Sequence, residues 1–287
     1  MGNGDKPLPV STSVQPTLPP EQLAFFRQVL GMMNEQGFPY VVSGAFALQQ
    51  HTGIFRDTKD LDLFCTAATA SKALAYLKGA GFDIVVTDPI WLAKAWKGEF
   101  FVDFITGMSN GVIVVDDSWI ARACPEKVLG VPARVLAPEE LIASKVFVDF
   151  RERFDGADIV HVIFGTKGKL DWQRLLQLMD GHTELLFWHL VLFHYVYPAY
   201  PHYVPPAVWN ELIEDFTRVL SEPDKEAPFR GSLLDERMFA IDVNEWKLAD
   251  LLTEARAAKR ERIASPSTVS ADPPANTSAL APETEVA

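Results

Sequence analysis

Apolar positions along the chain follow two different periods, and the change between them divides the chain. In the first half, short apolar runs of strand length alternate with segments in which apolar residues recur every three or four positions. The predicted strands are 40–43, 61–65, 82–86, 99–106 and 111–115. After about residue 165 the strand pattern stops and the helical period continues. This change predicts an α/β (α+β) domain followed by a smaller, α-helical domain.

Helical patterns in the first half predict three helices, among others. The first has apolar residues at helical spacing between Pro20 and Gly37. The second begins at Gly44, directly after the strand that contains the residues YVV. The third covers 138–150 and has Pro138 and two glutamates in its first turn, which is favourable for a helix N-terminus.

The two ends of the chain have a different composition from the middle. Residues 1–19 are rich in Pro, Ser and Thr, and the C-terminal segment contains few bulky apolar residues. Such segments cannot bury enough apolar surface to fold. We therefore predict disorder at 1–19 and 263–287, an α/β domain at 20–165 and an α-helical domain at 166–262.

Charge and composition narrow the class of protein. The chain has 287 residues and a formal net charge of −12, which argues against binding along an extended nucleic acid. It contains no apolar run of transmembrane length and no secretory signal at its start, so we expect no membrane partner. Its two cysteines, Cys65 and Cys124, form no metal or disulfide framework, which favours a cytoplasmic location.

Two carboxylates lie one residue apart where the second strand begins. Residues i and i+2 of a strand project from the same face, so Asp60 and Asp62 should point the same way. Two acids at this separation repel each other unless a cation lies between them. Mg²⁺ is a suitable cation, because it prefers one or two carboxylates together with substrate phosphates. The alternative is a loop that ends in two solvated acids.

A third carboxylate lies in the most apolar predicted strand. Alternation places Asp103 on the same face as Phe101 and Ile105, where an unpaired charge is costly. Asp103 should therefore bind a metal, or else pair with an arginine or lysine or reach water at a strand edge. Three acids on adjacent strands are typical of two-metal phosphoryl transfer.

These residues form part of a longer pattern, which also contains a small-residue turn, an R-x-T-x-D-x-D segment, a later lysine and a D-x-x-D segment. The pattern resembles the nucleotidyltransferase-fold superfamily, in particular small bacterial members such as those of abortive-infection-type toxin–antitoxin systems. The resemblance covers about 36–164. The residues that carry it are Ser43, Gly44, Arg56, Thr58, Asp60, Asp62, Asp103, Lys145, Arg151, Asp155 and Asp158.

The resemblance implies a nucleotidyltransferase-like mixed β-sheet with flanking helices, and an enzyme that transfers a nucleotide from an NTP to an acceptor hydroxyl. It implies that Asp60, Asp62 and Asp103 are catalytic and bind Mg²⁺, as a pair of ions. The implied nucleotide-binding residues are Ser43, Gly44, Arg56, Thr58 and Lys145. The acceptor would be tRNA, a protein hydroxyl or a small molecule, and an antitoxin protein is a possible partner.

The turn departs from the superfamily pattern. It is usually Gly-Gly or Gly-Ser, whereas this chain has Ser43 followed by Gly44. The first residue has therefore lost the freedom of glycine to adopt positive φ. This departure leaves a second hypothesis open: a catalytically inactive nucleotide-binding or protein-interaction module on the same fold.

Overall fold

The computed structural model of the protein describes residues 18–264. All but the innermost two residues of each predicted disordered segment, 1–19 and 263–287, lie outside the described residues. Within 18–264 no helix is both long and apolar enough to cross a membrane.

Up to residue 154 helices are interspersed with single strands and runs of two or three strands, and after it the named elements are helices. The strands are β1 (Val41–Val42), β2 (Asp62–Phe64), β3 (Asp83–Asp88), β4 (Leu92–Lys97), β5 (Phe100–Ile105), β6 (Cys124–Val128), β7 (Val131–Val135), β8 (Asp149–Phe150) and β9 (Arg153–Phe154). The α-helices are α1 (Pro20–Glu35), α2 (Gly44–Thr52), α3 (Ala67–Gly79), α4 (Asp117–Arg122), α5 (Pro138–Lys145), α6 (Gly156–Gly165), α7 (Trp172–Leu178), α8 (Thr183–Val196), α9 (Pro206–Ser221), α10 (Ala240–Asn244) and α11 (Leu251–Ala264).

Seven strands form one mixed sheet in the order β3-β4-β5-β2-β1-β7-β6. Strand β2 is parallel to β5 and antiparallel to β1, and β1 is parallel to β7. The hairpins β3–β4, β4–β5 and β6–β7 are antiparallel. The predicted α/β fold with a mixed sheet and flanking helices is confirmed.

The core lies at the centre of this sheet and continues into the helices. Val41 and Val42 of β1 are fully buried, because helices cover the sheet there. Helix α1 packs on β7 and β5, and α2 packs on α5 and α6. Helix α6 in turn packs on α8, and one hydrophobic cluster includes residues from both halves, among them Val42 and Phe193. The later helices therefore share a core with the sheet.

Two predicted elements are wrong. The segment 111–115 forms an isolated bridge between Gly107 and Val114 instead of a strand. Helix α11 packs so closely on this segment that a Cβ at Gly111 would come within 2.9 Å of the carbonyl oxygen of Ala255.

The helix predicted over 138–150 ends at Lys145. The residues that follow it turn into the hairpin β8–β9, in which Asp149 pairs with Phe154. The amide of Asp155 closes this hairpin on the carbonyl oxygen of Val148 at 3.0 Å.

Strand β4 was not predicted. Its sequence, LAKAWK, alternates between larger side chains and alanine, which is a period-two pattern. The alternation is present in the sequence, but the segment consists largely of Ala, Leu and Lys, which favour helices, so its composition did not indicate a strand. Strand β4 lies beside β5 and faces Asp103 with Lys94.

Candidate active site

The structure brings the three predicted acids together. Asp62 is the first residue of β2, and its Cα pairs in parallel register with that of Asp103 in β5. Asp60 lies two residues earlier, at the end of the preceding loop. One carboxylate oxygen from each of the three acids lies within 4.8 Å of the others. Adjacent parallel strands thus place three negative charges at one position of the sheet.

Burial and the charges of neighbouring acids disfavour the charged forms of Asp62 and Asp103. Burial, together with the charges of Asp60 and Asp103, raises the pKa of Asp62 to about 7, although Lys145 and Arg153 oppose the shift. Burial also raises the pKa of Asp103, against the lowering effect of Lys94. A cation bound between the carboxylates would offset both costs.

The small-residue turn lies directly against Asp62. The amide of Ser43 donates to the backbone carbonyl oxygen of Asp62 at 2.9 Å. Gly44 has φ +60°, and a Cβ at that position would come within 1.9 Å of Oδ2 of Asp62. Ser43 has an extended backbone with φ −121°, which a serine adopts without strain. The position that needs glycine is therefore the second, which explains the order Ser-Gly in this chain.

Thr58 and Arg56 hold the loop that precedes the acids. The Thr58 hydroxyl donates to Oδ1 of Asp60 at 2.7 Å, which fixes the orientation of that carboxylate. Arg56 makes a 2.5 Å ion pair with Asp158 of α6. The side chains of Thr58 and Arg56 therefore hold the loop in place through a hydrogen bond and an ion pair within the chain.

Lys145 forms a buried ion-pair network with the D-x-x-D segment. Its Nζ lies 2.7 Å from Oδ2 of Asp155 and 2.9 Å from Oδ2 of Asp158. Arg153 of β9 also donates to both oxygens of Asp155, at 2.9 and 2.8 Å. The charge of Lys145 is thus already paired with carboxylates of its own chain.

Two cationic residues near the acids were missed by the sequence analysis. Arg153 lines the cleft, whereas Arg151, to which the resemblance pointed, does not. Lys94 of β4 donates to both oxygens of Asp103, at 2.6 and 2.9 Å. The alternative in which Asp103 pairs with a lysine is therefore realised. The period-two alternation in β4 was the available signal for Lys94.

A cavity of about 520 Å³ lies over the acids. All eight predicted site residues line it: Ser43, Gly44, Arg56, Thr58, Asp60, Asp62, Asp103 and Lys145. The first cavity is also lined by Ser109, Asn110 and Phe150. A second cavity, of about 370 Å³, borders the same three residues and extends to Leu252 and Arg256 of α11. Ser109, Asn110 and Phe150 thus line both cavities.

The acid cluster fits a hard divalent cation. Carboxylate oxygens are the ligands that Mg²⁺ prefers, and three of them converge here. The carboxylate of Asp62 occupies the space that a side chain at position 44 would fill, so this acid lies directly against the turn. Asp60, Asp62 and Asp103 could therefore hold such an ion.

Comparison with known proteins gives a family and several distant structures. Residues 22–184 match the model of a family described as Nucleotidyl transferase of unknown function (DUF2204). No curated protein matches the chain.

The solution structure of the antibiotic-resistance factor ANT(2'')-Ia is 18% identical, with a TM-score of 0.40, and the match covers 62% of this chain and 97% of that one. The lincosamide antibiotic adenylyltransferase LnuA is 14% identical, with a TM-score of 0.36 over 50% of this chain and 96% of that one. The protein JHP933 from Helicobacter pylori is 12% identical, with a TM-score of 0.34 over 70% of this chain and 96% of that one.

Proposed function

The chain belongs to the family Nucleotidyl transferase of unknown function (DUF2204), and we propose that it is a Mg²⁺-dependent nucleotidyltransferase. It would move a nucleoside monophosphate from an NTP to an acceptor hydroxyl and release pyrophosphate. The single observation that carries this proposal is the convergence of Asp60, Asp62 and Asp103 at the wall of a cavity of about 520 Å³. Three carboxylates at one point need a cation, and phosphates can share that cation.

In this proposal Asp60 and Asp62 hold the metal, and Thr58 orients Asp60 through its hydroxyl group. Bound Mg²⁺ would supply charge neutralisation at the phosphate that is transferred. Gly44 allows the turn to approach Asp62 closely, so the NTP phosphates and the acids share one small space.

The turn at the start of α2 is suited to the phosphates. Backbone amides at a helix N-terminus point outward and favour an anion. Ser43 and Gly44 stand at this N-terminus, and Arg56, Lys145 and Arg153 line the same cavity. The triphosphate would thus lie between the amides at the start of α2 and the three cationic side chains Arg56, Lys145 and Arg153.

Asp103 is the residue that would accept the proton from the acceptor hydroxyl. The bond between the acceptor oxygen and the α-phosphorus forms while the bond from the α-phosphorus to the pyrophosphate oxygen breaks. A carboxylate has about four lone-pair sites, so the two hydrogen bonds from Lys94 leave Asp103 able to accept another. Burial, which raises the pKa of Asp103, also makes it a better base.

The acceptor would approach through the second cavity. This cavity holds about 370 Å³ and borders the first at Ser109, Asn110 and Phe150. Its size suits a small molecule or one protruding hydroxyl of a protein or an RNA end. The net charge of −12 disfavours contact with a long stretch of RNA.

Calorimetric titration with each NTP, with and without Mg²⁺, tests the proposal. The wild type should bind at least one NTP only when Mg²⁺ is present, and Asp62→Asn should abolish that binding. Asp83→Asn is the matched control, because Asp83 is an exposed acid on β3, far from the cluster in sheet order. Equal binding by wild type and Asp62→Asn would overturn the proposed site.

One observation favours the second hypothesis, an inactive nucleotide-binding or protein-interaction module. Asp103 and Lys145 are both engaged in ion pairs within the chain. Release of labelled pyrophosphate from a γ-labelled NTP, in the presence of RNA, protein and small hydroxyl acceptors, separates the two hypotheses. Mg²⁺-dependent NTP binding without any release would select the inactive module.

A further inference from the structure

We infer that the ammonium group of Lys94 takes the place of a second metal ion at the acid cluster, so that the site binds one divalent ion instead of two. The inference rests on the proposed function, because it specifies the metal content of that same site. A single divalent ion differs from the expectation of the resemblance, which implies two.

Lys94 is held beside Asp103 by the architecture of the sheet. The two residues are direct partners in the antiparallel pair β4–β5, so their side chains project from the same face. The Nζ atom lies 2.6 and 2.9 Å from the two carboxylate oxygens of Asp103. It also lies 4.1 Å from the centre of the Phe101 ring, in a cation–π contact. Strand pairing, a carboxylate and an aromatic ring therefore all fix the position of this cation.

The pair is shielded from water. The Asp103 side chain is 9% exposed and that of Lys94 is 20% exposed. Within residues 18–264, the ion pair with Lys94 is the one salt bridge that any of the three acids makes. Because charges interact more strongly away from bulk water, a cation placed here has a large effect on the next cation that arrives.

The positions of the acids show which metal position Lys94 would occupy. Asp60 and Asp62 come from one segment and can share one ion. Asp103 comes from another strand, and although its carboxylate is close enough to join them, both of its oxygens already accept hydrogen bonds from Lys94. A second ion bound to Asp103 would share its oxygens with the ammonium group. The two cations would then be close neighbours and would repel each other.

The charge balance leads to the same conclusion. One divalent ion and one ammonium group carry three positive charges, which match the three carboxylates of the cluster. Two divalent ions together with Lys94 would leave a net positive site before the NTP arrives. With Lys94 in place, the protein therefore needs one ion.

Counting bound Mn²⁺ tests the inference with a readout that does not depend on turnover. Free Mn²⁺ is measured by its electron paramagnetic resonance signal during titration of the nucleotide-free protein. The wild type should bind one ion at the acid cluster. Lys94→Gln, which retains a polar donor but removes the charge, should bind two.

Two further variants serve as controls. Lys94→Arg keeps a positive charge beside Asp103 and should bind one ion. Lys97→Gln removes another lysine of β4, whose Nζ contacts Gln28 instead, and should also bind one. Circular dichroism establishes that each variant is folded, and the wild-type and Lys94→Arg counts test the inference even if Lys94→Gln does not fold.

Two ions on the wild type would overturn the inference, and so would a single ion on folded Lys94→Gln. The absence of any protein-dependent ion on every variant, wild type included, would contradict the proposed function itself. Failure of the inference and failure of the proposed function therefore give different results.

Discussion

The Cα atoms of Asp62 and Asp103 are direct partners in the parallel pair between β2 and β5. Paired residues on adjacent parallel strands project from the same face of the sheet, so the two carboxylates meet although 41 positions separate them in the sequence. Asp60 joins them from the preceding loop. Strand register therefore brings Asp62 and Asp103 together, and the loop before β2 adds Asp60.

The metal-free protein should lose stability as the pH rises toward neutrality. Burial and neighbouring acids raise the pKa of Asp62 from 3.8 to about 7 in the folded protein. Between these values the folded state binds more protons than the unfolded state, so the free energy of unfolding falls as the pH increases. The Asp62 contribution is on the order of 4 kcal/mol.

Thermal unfolding in a chelator from pH 4.5 to pH 8 measures this effect. Because other groups also titrate, the informative quantity is the difference between wild type and Asp62→Asn, which lacks the titrating carboxyl. That difference should grow with pH and disappear when Mg²⁺ is added to the wild type. A difference that is constant over the whole range would contradict the assigned shift.

Gly44→Ala should abolish Mg²⁺-dependent NTP binding. The new Cβ would come within 1.9 Å of Oδ2 of Asp62, so the carboxylate or the turn must move. The positive φ of +60° adds a backbone cost of about 1 kcal/mol. Urea unfolding and calorimetric NTP titration together measure the two effects.

Gly37→Ala is the matched control for that experiment. Gly37 has nearly the same φ, +64°, but a Cβ there would have no atom within 4 Å. This variant should therefore show the backbone cost alone and keep normal NTP binding. If both variants bind NTP equally well, the close approach to Asp62 has no functional importance.

Thr58→Val should weaken metal binding without unfolding the protein. The substitution removes the hydroxyl that donates to Oδ1 of Asp60 at 2.7 Å and keeps a similar shape. Groups that orient a metal ligand typically contribute about 10- to 100-fold to metal affinity. Mn²⁺ titration should show a loss of about tenfold, and Thr58→Ser, which restores the hydroxyl, should recover most of it. Unchanged affinity in Thr58→Val would show that Asp60 is held by other contacts.

Lys145→Met should destabilise the fold as well as weaken NTP binding. The substitution leaves Asp155 and Asp158 without their shared partner in a buried position, although Arg153 and Arg56 still contact them. Breaking a buried ion pair on one side costs about 3 kcal/mol.

The exposed ion pair between Arg218 and Asp215 provides the comparison. Arg218→Gln should cost less than about 1 kcal/mol, because water screens a surface pair. Urea unfolding of both variants measures the contrast. Equal effects would mean that the Lys145 network contributes no more than a surface pair.

Local patterns in the sequence were enough to predict the class of fold and the family. The alternation of strand and helix periods led to the α/β fold, and the spacing of Asp60, Asp62 and Asp103 led to the nucleotidyltransferase superfamily, which the family match confirms. The catalytic, metal-binding and nucleotide-binding roles of the eight site residues remain predictions. So do the domain boundary near residue 165, a cytoplasmic location and an antitoxin partner.

The errors in the sequence analysis arise where distant segments decide the structure. The segment 111–115 has strand composition, but α11 packs against it, and that helix lies more than a hundred positions later. The period-two alternation in β4 marks Lys94 as a strand residue, but only the pairing of β4 with β5 places it opposite Asp103. Arg153 likewise reaches the cleft because the hairpin β8–β9 replaces the last turns of a predicted helix.

By itself, the sequence determined which residues repel each other and need a cation, because charge, burial tendency and i, i+2 spacing are properties of a short segment. The tertiary structure alone decided which cations are already present. Lys94 on Asp103, and Lys145 between Asp155 and Asp158, are pairings set by strand register and helix packing. The sequence thus identified the acids of the site, and the fold determined how much positive charge the metal still has to supply.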